Sequence, residues 1–193
     1  MKKIILIAAM AVFGWSFGQK KLSNSRAGLK AGIHLGIPVG DASDVSDDNI
    51  GLDVSYLWNV TKNLDLGIAT GFDLFIGKFG QIYTIDVNQL GSIPGTSYNE
   101  HIEYTSYYED IGYIPIAATA KYNFSKNWFA GLDLGYAIST SSRTDGGFYY
   151  NPKAGYQLPK WEFLAFYKGV ADNGLNISSI GIGVNYKFKS KYK

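Results

Sequence analysis

The segment Leu64–Gly77 reads LDLGIATGFDLFIG, and its apolar residues recur at every second position. The more apolar set is Leu64, Leu66, Ile68, Thr70, Phe72, Leu74 and Ile76, and the intervening set is Asp65, Gly67, Ala69, Gly71, Asp73, Phe75 and Gly77. Successive side chains of a β-strand point to opposite faces, so this pattern predicts a strand with one apolar and one more polar face. It exceeds the about 9–11 residues that a tilted membrane strand requires.

Seven further segments have the length of membrane strands, and most alternate in the same way. They are Leu29–Pro38, Ile50–Asn59, Ile111–Asn123, Trp128–Ser139, Gly147–Leu158, Trp161–Val170 and Ile177–Phe188. Alternation does not fix the register of the seventh strand, because Phe163–Phe166 is apolar on both faces. The sequence predicts an all-β fold, an eight-stranded antiparallel up-and-down transmembrane β-barrel.

The connections between these strands alternate between short and long. The short ones are Val60–Asn63, Phe124–Asn127 and Leu158–Lys160, and the longer polar ones lie around 39–48, 79–108, 140–147 and 169–176. Outer-membrane barrels have short periplasmic turns and longer extracellular loops. We therefore expect the three short turns to face the periplasm.

The N-terminus has the pattern of a secretory signal. Met1–Lys3 is positive, Ile4–Phe13 is apolar, and Ser16–Gly18 supplies small residues for cleavage. We expect a signal peptide over residues 1–18 and an outer-membrane barrel domain over 19–193. The apolar run is too short for a membrane helix of about 20 residues, so membrane residence requires strands.

Charge and cysteine content exclude several classes of function. Without residues 1–18 the chain has 16 basic and 16 acidic residues, since only Lys2 and Lys3 are lost from the 18 basic and 16 acidic residues of the full chain. A formal charge of zero argues against a nucleic-acid partner. The absence of cysteine excludes disulfides, thiolate metal sites and a lipid attached to an N-terminal Cys.

Aromatic residues mark both expected membrane interfaces. We call the predicted periplasmic set the turn-side aromatics: Trp58, Trp128, Trp161, Tyr122, Tyr156, Tyr186 and Phe188. Phe72, Tyr113, Tyr136, Tyr150 and Tyr167 are expected nearer the outer interface. Amphipathic rings collect where hydrocarbon meets headgroups, so this segregation favours a membrane barrel over a soluble one.

The more polar face, directed inward, predicts a lumen charge network. Its members are Lys30, Asp53, Asp65, Asp73, Lys121, Asp133, Lys153, Glu162, Lys168 and Lys187. Unpaired charge is costly in a narrow lumen, so five acids and five bases indicate a salt-bridged plug without substantial conductance. The alternative is that several of these residues are hydrated near the rims.

The segment Tyr113–Phe124, YIPIAATAKYNF, resembles a central strand of the PorT-like outer-membrane β-barrel family. The opening Gly28–Gly32 and the closing Gly181–Phe188 resemble that family as well. The resemblance implies the outer membrane and a barrel fold. It carries over no catalytic residue, and it leaves a secretion role open because some members are linked to secretion machinery.

No constellation in the sequence predicts catalysis, a cofactor or a metal. Gly14–Gly18 matches the G-x-S-x-G pattern, but it lies at the predicted cleavage site. His34 is expected in the lumen and His101 in a solvated loop, neither with a serine motif nearby. Asp41, Asp44, Asp47 and Asp48 do not have EF-hand spacing, so a solvated loop is favoured over a calcium site.

The expected partners are outer-membrane lipid and lipopolysaccharide, with a protein or glycan partner at the outer loops. The second loop is the leading recognition surface because it is long and rich in tyrosine: Tyr98, Glu100, Glu103, Tyr104, Tyr107, Tyr108, Glu109 and Asp110. The leading hypothesis is a non-enzymatic membrane anchor, envelope stabiliser or surface-binding module. A secretion component, a narrow channel, a lipid-modifying enzyme and a soluble lipocalin-like barrel are the alternatives.

Overall fold

A computed structural model describes residues 28–78, 82–86, 101–105, 108–141, 144–172 and 174–188. Its elements are β1 Gly28–Val39, α1 Ala42–Val45, β2 Ser46–Asn59, β3 Leu64–Gly77, β4 Ile82–Asp86, β5 His101–Thr105, β6 Ile111–Asn123, β7 Trp128–Ser139, β8 Gly147–Gln157, β9 Trp161–Asp172 and β10 Leu175–Lys187. None of the helical structure in these ranges is long and apolar enough to cross a membrane. The predicted signal peptide lies outside the described residues and stays a prediction.

Eight of the strands close into one antiparallel barrel in the order β1-β10-β9-β8-β7-β6-β3-β2. The ladder between β1 and β10 closes it, running from Lys30 opposite Lys187 to Val39 opposite Ser178. Strands β4 and β5 form a separate two-stranded hairpin within the connection from β3 to β6. The predicted eight-stranded up-and-down barrel is confirmed.

Each end of the barrel has its own kind of connection. The turn side carries the three short turns at 60–63, 124–127 and 158–160, and the loop side carries α1 and the β4–β5 hairpin. In two of the turns a hydroxyl accepts backbone N–H groups: Thr61 from Asn63 and Leu64, and Ser125 from Asn127 and Trp128. This local bonding explains why the two turn sequences resemble each other.

Two of the predicted long loops are shorter than expected. The prediction of a polar loop over 169–176 is wrong, because β9 runs to Asp172 and β10 starts at Leu175. Gly174 has φ +91°, a conformation that permits a tight hairpin. The segment 39–48 contains α1, and β2 already begins at Ser46 with a register irregularity between Ser46 and Asp48.

The apolar face of the barrel points outward and the more polar face points inward. Large apolar side chains in the middle of strands are exposed, including Ile33 at 60%, Leu52 at 56% and Ile182 at 68%. In β9 the structure resolves the ambiguous register, since Trp161, Phe163 and Tyr167 point outward while alternate residues are buried. A soluble lipocalin-like barrel would have these two faces exchanged.

Candidate functional site: the lumen and the two rims

On the turn side, three lysine amines surround the Glu162 carboxylate in the lumen. Its Oε1 atom accepts from Lys30 Nζ at 2.8 Å, lies 3.2 Å from Lys187 Nζ, and forms a further ion pair with Lys121. All four residues are at most 8% exposed. Lys121 also lies over the Phe129 ring, with Nζ 3.8 Å from its centroid. A single carboxylate thus links strands β1, β6, β9 and β10 across the lumen.

Towards the loop side, His34 lies between two carboxylates. Its Nδ1 is 2.9 Å from Asp53 Oδ2, and its Nε2 is 2.9 Å from Asp73 Oδ1. Lys168 Nζ donates to Asp73 Oδ1 at 2.8 Å and lies 3.9 Å from Asp53 Oδ1. His34 is 1% exposed and packs edge-on against Phe166. Like Glu162, this cluster joins strands that are not neighbours, and so braces the barrel internally.

A third ionic contact involves Asp133, which accepts from Lys153 Nζ at 2.6 Å and from Asn151 Nδ2 at 2.9 Å. A cavity of about 30 Å³ lies beside it. Asp133, Asn151 and Asn185 line this cavity, and in the described part of the chain their Oδ1 atoms have no hydrogen-bond partner. The space fits ordered water, which satisfies such buried acceptors in proteins.

Every member of the predicted lumen charge network faces the interior of the barrel. Asp65 is fully buried and accepts from Asn59 and Asn123, and the Asp53 side chain is 31% exposed. The acids and bases are divided between the Glu162, His34 and Asp133 clusters and Asp65.

Buried amides complete this network and were missed by the sequence analysis. Gln157 accepts from Lys121 Nζ at 2.8 Å and donates to Asn123 Oδ1 at 2.9 Å, while Ser179 donates to Asn49 Oδ1 at 2.9 Å. These residues lie an even number of positions from the charged residues of their own strands and so share the inward face, which means that strand parity was the signal that could have identified them.

Above the charged layers, apolar side chains fill the loop side of the lumen. We call them the loop-side core: Ala42, Phe75, Ile111, Tyr113, Ala117, Ala137, Tyr149, Val170 and Ile177. Ala42 belongs to α1, which packs against β1, β2 and β10 at this end of the barrel. The expectation that Tyr113 lies at the outer membrane interface is wrong. Tyr113 shares the inward parity of Lys121, is 0% exposed and contacts Phe75 edge-on.

The turn-side aromatics lie on the outer surface near the three turns. Trp58, Trp128 and Trp161 are 38%, 53% and 45% exposed. Each pairs with a tyrosine: Tyr56 with Trp58 at 4.9 Å, Tyr156 with Trp128 at 5.2 Å, and Tyr186 with Trp161 at 5.0 Å between centroids. Tyr122 and Phe188 are exposed at the same end. These rings form a girdle around one edge of the apolar surface.

The candidate binding residues of the loop side are only partly described. Asp41 accepts from the backbone N–H of Asn176 at 2.8 Å, and Asp44, Asp47 and Asp48 are exposed. Among the described residues, no group of three or more His, Asp or Glu side chains could hold a metal. The side chains of His101, Glu103 and Tyr104, and residues Tyr98, Glu100 and Tyr107, lie outside the described set. Tyr108, Glu109 and Asp110 are exposed.

Comparisons with known proteins yield no family for this chain. No family model matches it, and no curated protein gives a significant match. The resemblance to the PorT-like family therefore stays a prediction.

Among solved structures, the crystal structure of Ail, the attachment invasion locus protein of Yersinia pestis, is 12% identical with a TM-score of 0.48, covering 84% of this chain and 97% of Ail. A de novo designed transmembrane β-barrel is 12% identical with a TM-score of 0.46, covering 84% of this chain and 98% of the design. At these low identities, the roles of those proteins do not transfer to this chain.

Proposed function

We propose that this chain is an integral outer-membrane β-barrel, exported by its signal peptide, that acts as a closed anchor for its outer loops. The observation that carries the proposal is the inverted distribution of polarity. Exposed apolar side chains on neighbouring strands, such as Ile33, Leu52 and Ile182, form a continuous outer surface, while charged and amide side chains fill the interior. An extended exposed apolar surface is costly in water and is matched by hydrocarbon.

The closed lumen argues against a channel. The Glu162 and His34 clusters and the loop-side core occupy successive levels of the interior, and the cavity beside Asp133 has only about 30 Å³. An eight-stranded barrel has an interior that its own side chains fill. The barrel therefore holds the loop-side segments at the cell surface instead of conducting solutes. Those segments are the part of the chain that binds a protein or glycan.

The test is fractionation of expressing cells, followed by electrophoresis of the detergent-extracted protein with and without boiling. We expect recovery in the outer membrane and a mobility shift on boiling. Planar-bilayer recordings of the same preparation should show no steady conductance. Recovery as a soluble periplasmic protein without a mobility shift would overturn the proposal, and a stable open conductance would overturn its closed lumen.

A further inference from the structure

The zero formal charge of the mature chain hides a strong separation of charge along the barrel axis. Among the described residues, every exposed acidic side chain lies on the loop side: Asp41, Asp44, Asp47, Asp48, Glu109, Asp110 and Asp145. The acids of the turn side are Asp65 and Glu162, and both are buried in the lumen. The turn-side surface described by the structure is therefore purely basic.

Each of the three turns contributes one exposed lysine to this surface. They are Lys62, Lys126 and Lys160, and we call them the lysine collar. None of the three turns contains an acid. The buried Lys30, Lys121 and Lys187 add to the basic character from within the lumen, where these three amines share the Glu162 carboxylate.

The lysine collar lies directly beside the turn-side tryptophans. Lys160 precedes Trp161 in the chain, Lys126 lies two residues before Trp128, and Lys62 lies in the turn that follows Trp58. Trp rings prefer the depth at which hydrocarbon meets headgroups. The anions nearest to the collar are therefore the lipid phosphates of the leaflet on the turn side. A lysine side chain is long enough to reach from the turns to these phosphates.

We propose that the lysine collar binds the phosphate groups of anionic phospholipids in the periplasmic leaflet. The inference rests on the proposed membrane insertion and adds a lipid class and a site. The continuity of the collar with the exposed Trp rings favours lipid over a cell-wall polymer. Contact with an anionic surface contributes about 1 kcal/mol per lysine, equal to about a fivefold change in association.

The tryptophans make this end of the barrel directly observable. Apart from Trp15, the chain has only Trp58, Trp128 and Trp161, so a full-length Trp15→Phe protein emits from the turn side alone. It is refolded into phosphatidylcholine vesicles with a minor fraction of phosphatidylglycerol, and bromine is placed on the acyl chains of one lipid or the other. At low ionic strength, brominated phosphatidylglycerol should quench as if enriched about fivefold around the protein.

The matched variant replaces Lys62, Lys126 and Lys160 with Gln in the same background, and Lys78→Gln on the loop side is the control. The enrichment of phosphatidylglycerol around the protein should fall to about one in the collar variant and persist in the control. Folding of each variant is checked by its mobility shift, and single substitutions replace the triple if it does not fold. Quenching by each lipid in proportion to its bulk mole fraction, or a preference that survives the triple substitution, would overturn the collar.

Two outcomes separate this inference from the proposed function and from its rival. Absence of quenching by either brominated lipid would refute membrane insertion itself. Lipid quenching in proportion to bulk mole fraction, combined with cosedimentation on purified cell-wall sacculi that the collar variant loses, would overturn lipid binding in favour of an anionic cell-wall polymer.

Discussion

The two halves of the lumen are closed by different kinds of interaction. The turn half is held by buried ion pairs around Glu162, whereas the loop half, beyond the His34 cluster, is held by packing in the loop-side core around Phe75 and Tyr113. The stability that a buried ion pair contributes depends strictly on its partner and geometry, whereas the stability from apolar packing depends on the volume that the side chains fill. The comparison indicates that two different kinds of interaction close the lumen of this small barrel. Each closure should therefore be sensitive to a different substitution.

The largest effect is expected from Glu162→Gln. The change leaves Lys30, Lys121 and Lys187 around a neutral amide, so buried amines either repel one another or give up their protons. Losing the acidic partner of a buried network costs about 4 kcal/mol of unfolding free energy. Reversible urea unfolding in lipid vesicles measures it, with the exposed Asp145→Asn as a control expected to change little. A stability equal to wild type would contradict the role of Glu162.

Adding Lys121→Met to Glu162→Gln sharpens this result. The second change removes one of the stranded amines and retains an apolar stem that can cover Phe129, so part of the lost stability should return. Further loss in the double variant would show that Lys121 contributes through partners other than Glu162, such as Gln157.

Phe75→Ala tests the apolar half and should cost about 3 kcal/mol, because it leaves a cavity next to Tyr113 in a closely packed cluster. It should not open a conductance, since the charged layers still close the lumen. Steady channel openings in this single variant would show that the loop-side core alone closes the lumen. Openings only in combination with Glu162→Gln would support two independent seals.

Ile182→Lys addresses the outer surface at the middle of β10. A lysine on the lipid face near the bilayer centre costs about 2 kcal/mol or more, whereas the same change on a water-exposed face costs little. Unfolding in vesicles should therefore show the loss, and Leu175→Lys, exposed at the loop end of the same strand, should show a smaller one. Equal effects at the two positions would argue against a membrane-spanning surface.

The smallest effect is expected from Lys126→Gln. Its side chain is exposed in a turn, so stability in neutral vesicles should change by less than about 0.5 kcal/mol. Glu162→Gln disturbs the buried lysines that support the fold, whereas Lys126→Gln removes an exposed charge of the collar. Comparing the two losses of stability separates these two kinds of lysine. A large loss of stability would place Lys126 among the structural residues.

Strand parity accounts for most of what could be predicted from the sequence. Alternation assigns Lys30, Asp65 and Asp73 to the lumen, because a strand offers only two faces. It cannot show that Lys30, Lys121 and Lys187 meet at one carboxylate, since contacts across a barrel depend on the stagger of all strands. The error at Tyr113 came from following aromatic character in place of the parity that Lys121 defines.

The outer segments were less predictable for a different physical reason. No apolar face fixes their length, so polar residues near 169–176 indicated a loop where the strands in fact continue to Asp172 and from Leu175. Backbone pairing can extend beyond the membrane without any change in composition, and the β4–β5 hairpin between β3 and β6 is a second example.

The seam between β1 and β10 governs how this chain can assemble. It pairs the first barrel strand with the last, Lys30 with Lys187 and Val39 with Ser178, so the barrel cannot close before β10 is available to pair with β1. Contacts between such distant positions form slowly, because loop closure must precede them. During that interval the apolar faces of the strands are exposed to water. Closure of the seam therefore competes with aggregation.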